Sequence, residues 1–495
     1  MHPLHRHQLE RLTRRTFLGQ VGQGVGVGLG SIALSALLGE RGAEASPSTA
    51  PRSTANPLAP RPPHFRARAK AVISIHLAGS PSQHELFENK PALTTYHGQP
   101  CPDEYLKGEQ FAFIKGHPTL LRCQYEFRRH GRSGMEMSTL LPHLGSVADE
   151  LCMLRAVRTD QFNHAPAQLL LWTGDPRFGH PSMGSWLTYG LGSEASDLPG
   201  FVVLVSGDKT PDAGKSVWGS GFLPSVYQGV QCRASGAPVL YVDDPPGIDR
   251  AGRRRILDAV NELNRIEAER TRDPETLTRI AQYELAYRMQ MSVPDAMDIA
   301  REPAEILEEY GATPGKGSIA SSCLLARRLV ERGVRFVQIF DWGWDGHGTG
   351  PNDDLLTQLP KKCGEMDRPV AALIRDLRRR GMLDETLVVW GGEFGRTPVA
   401  EFRDGKKDFL GRDHHPHAFT MLMAGGGTKG GLVYGETDDL GYFPTKDPIP
   451  VNDLQATILH LLGLDHERLT YFHSGLDQRL TGVTKPSRVH RAILA

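Results

Sequence analysis

The sequence predicts an α/β fold built on a large, mainly parallel sheet with helices on both faces. Short apolar runs rich in β-branched residues recur along the chain, and several lack any polar position, as strands buried on both faces of a parallel sheet require. Segments with helical spacing of apolar residues lie between them, and two of these stop at Gly333 and Gly381. Such alternation is typical of a doubly wound sheet, in which ligands bind beyond the carboxyl ends of the strands.

Residues 1–45 have the layout of a twin-arginine export signal. The stretch 13–18, TRRTFL, pairs two arginines before two apolar residues, a glycine-rich uncharged segment follows, and residues 43–45, AEA, have the small-x-small pattern of a cleavage site. A membrane-spanning helix or a retained anchor is the alternative, although the glycines lower its hydrophobicity. We therefore expect export to the periplasm or cell surface, with no stable transmembrane segment after cleavage.

The next segment, 46–70, is predicted to be a disordered tether because Pro, Ser, Ala and Arg dominate it without any apolar period. One α/β domain is expected over 71–495. Within it, 249–301 is helix-rich and charged, which predicts a helical insertion that packs on the sheet or forms a partner surface.

The elements of the domain are predicted from their apolar periods and flanking glycines. Predicted strands are 71–79, 151–157, 201–207, 238–242, 334–341, 386–392 and 419–426, and predicted helices include 318–332 and 364–380.

Charge and cysteine usage exclude several classes of function. Lys+Arg and Asp+Glu both number 57, and no basic stripe with interleaved aromatic residues is present, so nucleic-acid binding is not expected. The six cysteines are scattered without a C-x-x-C pair, which argues against a cysteine-ligated zinc or a redox motif.

Histidines, carboxylates and arginines lie near the ends of five predicted strands. Imidazole with carboxylate suits Zn, Mn or Fe, and suits calcium less because calcium prefers oxygen ligands. Taken singly, each segment has a simpler interpretation: an Asx turn, a structural ion pair or a solvated histidine loop. Their convergence at strand ends favours a metal site. The candidates are Glu85, Arg158, His164, Asp345, His347, Glu393, Arg396, His414 and His415.

Long motifs in the chain resemble a family of exported bacterial proteins known as domain of unknown function 1501. They are GSPSQHELFENKP (79–91), HPSMGSWLTYGLG…LPGFVVL (180–204), YELAYRMQ (283–290), WGWDGHG (342–348), GGEFGRTP (391–398) and GRDHHPHAFTMLMAGGGTKGGLVYGETDDLG (411–441). The family is similar to the alkaline phosphatase and sulfatase superfamily. That resemblance implies an alkaline-phosphatase-like sheet with one or two metal ions at its carboxyl edge.

The resemblance also implies a ligand set. Asp345 and His347 are similar to an Asp and His pair of the superfamily that binds one metal, with tighter spacing. Glu393 takes the place of a second Asp, whereas Phe394 replaces the histidine that follows it. The last ligand is expected from the loop before 419–426, with His414 as first choice and His415 as second. Glu85 is a further candidate, although it lies late for the acidic ligand after the first strand.

The chain departs from the superfamily at the nucleophile. The expected Ser, Thr or modified Cys is absent, and His164 or Asn163 stands in its place. His164 could act as nucleophile, as acid or base, or as metal ligand, or it could belong to an inactive site. Arg396 and Arg158 are expected to stabilise anionic charge. A hydrolase with a single divalent metal, zinc first and manganese or iron next, is compatible with these departures.

Two functions follow from these expectations. The first is an exported metal-dependent hydrolase of phosphate or sulfate esters, with a small molecule or a polysaccharide ester as substrate. The second is a non-catalytic exported protein that keeps the fold as a binding scaffold.

Overall fold

A computed structural model describes residues 57–109, 111–207, 209–233, 249–271, 274–402 and 408–495. The predicted export signal, the first part of the predicted tether and the predicted strand 238–242 lie outside these residues. In the described part of the chain, no helix is long and apolar enough to cross a membrane.

The strands lie along the chain as follows: β1 Ala71–Ala78, β2 Phe127–His130, β3 Met135–Ser138, β4 Leu151–Arg158, β5 Phe201–Ser206, β6 Val230–Cys232, β7 Phe336–Trp342, β8 Thr386–Gly391, β9 Gly395–Arg396, β10 His414–His415, β11 Phe419–Ala424, β12 Leu432–Tyr434, β13 Glu436–Thr437, β14 Pro444–Lys446, β15 Ile449–Pro450, β16 Tyr471–His473 and β17 Leu476–Gln478.

The helices are α1 Gln83–Leu86, α2 Pro91–Thr95, α3 Asp103–Leu106, α4 Pro142–Gly145, α5 His164–Thr173, α6 Met183–Leu191, α7 Arg250–Thr271, α8 Pro274–Met297, α9 Ala304–Tyr310, α10 Ile319–Glu331, α11 Gln358–Arg379 and α12 Val451–Leu461. Short 3-10 turns cover Ala148–Glu150, Gly214–Trp218, Ser225–Tyr227, Ile299–Arg301, Leu383–Glu385 and Arg491–Ile493.

A nine-stranded sheet forms the centre of the domain, in the order β12-β4-β11-β8-β1-β7-β5-β6, with β15 also pairing with β4. Every pairing in it is parallel except those of β11, which runs antiparallel to β4 and to β8. The predicted large, mainly parallel sheet is therefore confirmed. Because β11 is reversed, its first residues lie at the same edge of the sheet as the carboxyl ends of its neighbours.

The core explains why the sheet strands read as continuous apolar runs. Every position of β1, β8 and β11 is buried, so both faces of these strands are covered. Full burial of an aliphatic side chain contributes about 1.5–3 kcal/mol, and this favours strands without polar positions. Ser318 is the N-cap of helix α10, since its Oγ accepts a hydrogen bond from Ser321 N. The first twelve residues of the helix, 319–330, are buried.

The chain before β1 differs from the predicted tether. Arg68 N and Ala69 N donate hydrogen bonds to Leu461 O, and His64 N donates to Gly463 O. Leu58 is buried in the core of the domain. These contacts attach residues 64–69 to the end of α12 and the residues that follow it, so ordered chain begins before Ala71, contrary to the sequence-based boundary.

The segment predicted as a helical insertion contains α7 and α8. The two helices pack on each other through Arg254, which donates to both carboxylate oxygens of Glu284 at 2.9 and 2.7 Å.

Candidate metal centre

Four side chains converge at the carboxyl edge of the sheet. His164 is the first residue of α5, Asp345 and His347 follow β7, and His414 lies in β10 just before β11. One ligand atom of each lies within 4.8 Å of those of the others. The reversed direction of β11 is what brings His414 to the same edge as residues that follow parallel strands.

The spacing of these atoms fits a single tetrahedral ion. Asp345 Oδ1 lies 2.9 Å from His347 Nε2, 3.3 Å from His164 Nε2 and 3.5 Å from His414 Nε2. The Nε2 atoms of His347 and His414 are 3.0 Å apart. Ligands about 2.0–2.1 Å from a zinc ion at tetrahedral angles lie about 3.3 Å from one another. These four separations, from 2.9 to 3.5 Å, are therefore close to the spacing of ligands around one such ion.

Carboxylates contact two of the imidazoles at Nδ1, on the side of the ring opposite the converging Nε2 atom. His164 Nδ1 is 2.7 Å from Glu393 Oε1, and His347 Nδ1 is 2.5 Å from Glu401 Oε2. A carboxylate that accepts the Nδ1 proton sets the tautomer, so that Nε2 presents its lone pair on the opposite side of the ring. This is the usual arrangement around metal-bound histidines in proteins.

A backbone carbonyl holds the third imidazole. His414 Nδ1 is 2.7 Å from Phe162 O, and because a carbonyl only accepts, Nδ1 must carry the proton. Burial lowers the pKa of His414 to about 4, so the ring is neutral near pH 7 and its Nε2 is a lone pair. That lone pair faces His347 Nε2, while His164 Nε2 is buried without a hydrogen-bond partner. A cation between these atoms would satisfy all of them.

Arg396 anchors the carboxylate of the cluster. Its Nη2 donates to Asp345 Oδ1 and to Gly79 O, its Nε donates to Ser80 O at 3.1 Å, and its Nη1 donates to Arg412 O at 3.0 Å. Burial opposes ionisation of Asp345, but Arg396 and the three imidazoles outweigh it and hold its pKa far below the usual value. The guanidinium is 1% exposed, so it lies beneath the centre and faces away from solvent.

Glu393 lies behind His164, outside the converging set of four. Its Oε1 accepts from Gly79 N and from Gln168 Nε2, both at 3.1 Å, and its Oε2 is 3.2 Å from His76 Nε2. Burial would raise the pKa of this carboxyl, but His164 and His76 lower it well below its usual value. Glu393 is thus a buried carboxylate surrounded by donors.

Glycines permit the close approach of these segments. Gly79 has φ +100°, and a β-carbon there would lie 2.6 Å from Asp345 N. A β-carbon on Gly392 would lie 2.6 Å from Ser80 Oγ, which accepts from Glu393 N at 3.0 Å. The glycines around Glu393 and Asp345 therefore have a packing reason at this edge.

Three other sequence candidates lie apart from the four converging atoms. Both carboxylate oxygens of Glu85 accept from Arg412, and neither side chain is exposed. His415 Nε2 is 2.6 Å from Tyr442 O. Arg158 is exposed at the end of β4. Among the described residues, none of these three belongs to a group whose ligand atoms converge.

The centre opens on the side of Asp345 and His164, whose side chains are 30% and 14% exposed. Phe113 packs its ring edge on His347 with the centroids 4.8 Å apart, and Phe394 packs against His164 at 4.9 Å. Asp212 is exposed near His164, and burial of its carboxyl raises its pKa.

Several residues that complete the surroundings of the centre are not predicted from the sequence. These residues belong to no motif with a fixed spacing and are recognised only from their contacts. They are His76, Phe162, Gln168, Asp212 and Glu401.

The model of the DUF1501 family, described as a protein of unknown function, matches residues 69–494, and the chain belongs to this family.

Several solved structures are similar to the chain at low identity. The lipoteichoic acid synthase LtaP from Listeria monocytogenes is 10% identical over 86% of this chain and 78% of its own, with a TM-score of 0.36. A protein in the alkaline phosphatase superfamily from Vibrio parahaemolyticus is 11% identical over 89% and 76%, with a TM-score of 0.36. The alkaline phosphatase from the Antarctic bacterium TAB5 is 11% identical over 80% and 98%, with a TM-score of 0.30. No curated protein matches the chain.

Proposed function

We propose that this member of the DUF1501 family is an exported hydrolase of phosphate or sulfate esters that depends on a single divalent metal ion. The observation that carries the proposal is the convergence of three imidazole Nε2 atoms on Asp345 Oδ1. Export rests on the arginine pair of residues 13–18, and the ester class rests on the resemblance of the motifs around Asp345 and Glu393.

The donor set fits a metal of intermediate softness. Three nitrogens and one carboxylate oxygen suit zinc first and manganese or iron next, with His164, Asp345, His347 and His414 as the ligands. When bound, such an ion supplies Lewis acidity, which polarises an ester and promotes the ionisation of water.

The side chains behind the ligands keep the centre in a receptive form. Glu393 and Glu401 accept the Nδ1 protons of His164 and His347, so the Nε2 atom of each ring faces inward as the atom that would bind the ion. Arg396 keeps Asp345 ionised and fixed in place. Because these groups are prearranged, little reorganisation is required when a charged ligand enters.

This assignment gives His164 and Glu393 roles that differ from the first expectation. His164 becomes a ligand, since its Nε2 faces the other three ligand atoms, and Glu393 becomes its positioning residue. Phe394, whose ring centroid is 4.5 Å from that of His414, leaves an apolar surface where the superfamily histidine would stand. Because this histidine is missing, we propose that the centre binds one metal ion and not two.

Asp212 is the candidate for proton transfer in this proposal. One carboxylate oxygen of Asp212 lies within 4.8 Å of ligand atoms of His164 and Glu393, and partial burial of the carboxyl raises its pKa. A carboxyl group in such a position can take part in proton transfer as a general acid or base. A small-molecule or polysaccharide ester would approach on the exposed side of Asp345 and His164.

The count of protein ligands favours a second candidate, a binding scaffold with a structural metal. Structural zinc sites have four protein ligands, whereas catalytic sites keep one position for water. In addition, the identified hydrogen bonds of the Arg396 guanidinium all go to Asp345 and to backbone carbonyls, so it does not offer its charge to a substrate.

Elemental analysis with an ester screen tests both functions. The purified chain, loaded separately with Zn, Mn and Fe(II), is assayed on aryl phosphates and aryl sulfates beside His347→Ala and Asp212→Asn. One ion per chain, lost in His347→Ala, together with turnover that Asp212→Asn reduces at unchanged metal content, supports the hydrolase. Stoichiometric metal without turnover of any ester supports the scaffold, and absence of bound metal refutes both assignments.

A further inference from the structure

Helix α7 carries a stripe of exposed aliphatic side chains. Ile256, Leu263 and Ile266 are 52%, 67% and 57% exposed, and Ala259 lies exposed between them. Their spacing of three, four and three residues is that of the a and d positions of a heptad. Isolated exposed aliphatics are common, but a regular stripe along one helix marks a surface that binds another helix.

The opposite face of α7 is already engaged within the chain. Asn261 is buried and its Nδ2 donates to Glu284 Oε1 of α8 at 2.6 Å, beside the ion pair of Arg254 with the same carboxylate. The contacts between the two helices therefore fix the rotation of α7. The stripe is left facing away from α8.

We propose that this stripe is a homodimer interface, on which α7 of a second copy of this chain lies antiparallel. Ile256 and Leu263 take position a, and Ala259 and Ile266 take position d, so that each a residue packs beside a d residue of the other copy. The occupant is a second copy because the charges that flank the stripe are complementary to themselves when the helix is reversed.

The flanking positions before each a residue are Arg255, Glu262 and Glu269. In an antiparallel pair these positions face one another across the seam, so Arg255 meets Glu269 of the second copy, and this happens twice by symmetry. Glu262 meets its own equivalent at the centre, where Arg265 at 2.9 Å within the same helix offsets its charge. The antiparallel seam thus has an attractive Arg255–Glu269 pair on each side of the central Glu262–Glu262 contact, whose repulsion Arg265 reduces.

A parallel arrangement is disfavoured by the same residues. In a parallel pair, the residue before position a of one helix faces the residue after position d of the other helix, five positions further along the chain. Glu262 of each copy would then face Glu267 of the other, which gives two repulsive contacts. Arg255 would then face Val260 and find no carboxylate. Charge pairing at these positions therefore selects the antiparallel orientation.

Helix α7 has 22 residues, so the seam is about 33 Å long at most and the association is expected to be of modest affinity. Sedimentation velocity of the purified full chain from about 1 to 100 µM is the direct test. We expect a concentration-dependent dimer that Leu263→Glu converts to a monomer without changing the melting temperature or bound metal. Glu467→Gln, at an exposed site away from α7, is the matched control and should dimerise normally.

A charge swap identifies the partner. Arg255→Glu alone and Glu269→Arg alone should each weaken the dimer, and the double variant should restore it, because both copies then carry the reversed pair. A wild-type chain that stays monomeric overturns the proposal, including the case in which another segment of the chain covers the stripe. A dimer that withstands Leu263→Glu, or a double variant no stronger than the single ones, overturns it as well.

Discussion

His164 Nδ1 and Glu393 Oε1 lie 2.7 Å apart, although 229 residues separate the two positions. Helix α5 brings the imidazole and the end of β8 brings the carboxylate to one edge of the sheet. The contact fixes which nitrogen of His164 faces the other three ligand atoms. The proposed metal binding at this edge is therefore expected to depend on Glu393, a residue that does not itself face the ion.

Replacing that carboxylate tests the dependence. Glu393→Gln should lower metal affinity about 10- to 100-fold, the usual cost of losing such a partner. The carboxylate has four neighbours that can donate a proton to it: Gly79 N, His76, His164 and Gln168. In Glu393→Gln the new NH₂ group, itself a donor, must face one of these donors, which is unfavourable. Affinity is measured by competition with a chromogenic chelator.

Glu436→Gln is the control, since Glu436 is exposed and pairs with Lys446 at the surface. Equal affinities of Glu393→Gln and the wild type would show that the carboxylate does not position His164.

Metal affinity should rise with pH up to about pH 9. Burial disfavours the charged form of His164, but Asp345 and Glu393 outweigh it and raise the pKa of His164 to about 9. Below that pH the metal-free imidazole is protonated, and an entering ion must displace the proton. Affinity is thus expected to increase about tenfold per pH unit from pH 7 to 9 and then level off.

Calorimetric titration at pH 7.5 in two buffers of different ionisation enthalpy gives the number of protons released. About one proton is expected for the wild type and fewer for His164→Gln. The same proton release in both proteins would place the titrating group elsewhere.

The Glu85 and Arg412 pair should act on stability and leave metal content unchanged. Both side chains are fully buried, and Arg412 Nη2 is 2.9 Å from Glu85 Oε1. Glu85→Gln leaves a buried guanidinium without its counter-charge, which typically costs about 3–5 kcal/mol of the free energy of unfolding. Denaturant unfolding measures this loss, and elemental analysis of the folded protein should still give the wild-type metal content. Lower metal content in the folded variant would instead make Glu85 a ligand.

Gly79→Ala should displace Asp345. The added β-carbon would stand 2.6 Å from Asp345 N, at a residue with φ +100°, so the loop after β7 must move. We expect lower stability and weaker metal binding, measured by thermal unfolding with and without the metal. Gly134→Ala is the matched control, because Gly134 also has positive φ (+68°) but has open space around the new carbon. If both variants bind metal as the wild type does, the close packing of Gly79 is not needed for the centre.

The sequence by itself determined the elements of the fold. The runs that became β1, β5 and β8 are apolar because both of their faces are buried, and this property is visible in any single segment. The same holds for α10 and α11, whose apolar spacing and terminal glycines are local. Asp345 and His347 could be proposed as ligands because they follow an apolar strand directly.

Only the tertiary structure decided how the residues of the candidate centre are arranged. The antiparallel direction of β11 brings His414 to the same edge as Asp345, and a run of apolar residues carries no information about strand direction. Likewise, the pairings of Glu393 with His164 and of Glu401 with His347 join distant positions through one ring nitrogen each. Sequence spacing reports which residues are neighbours along the chain, whereas a ligand's role depends on which atom faces which across the folded sheet.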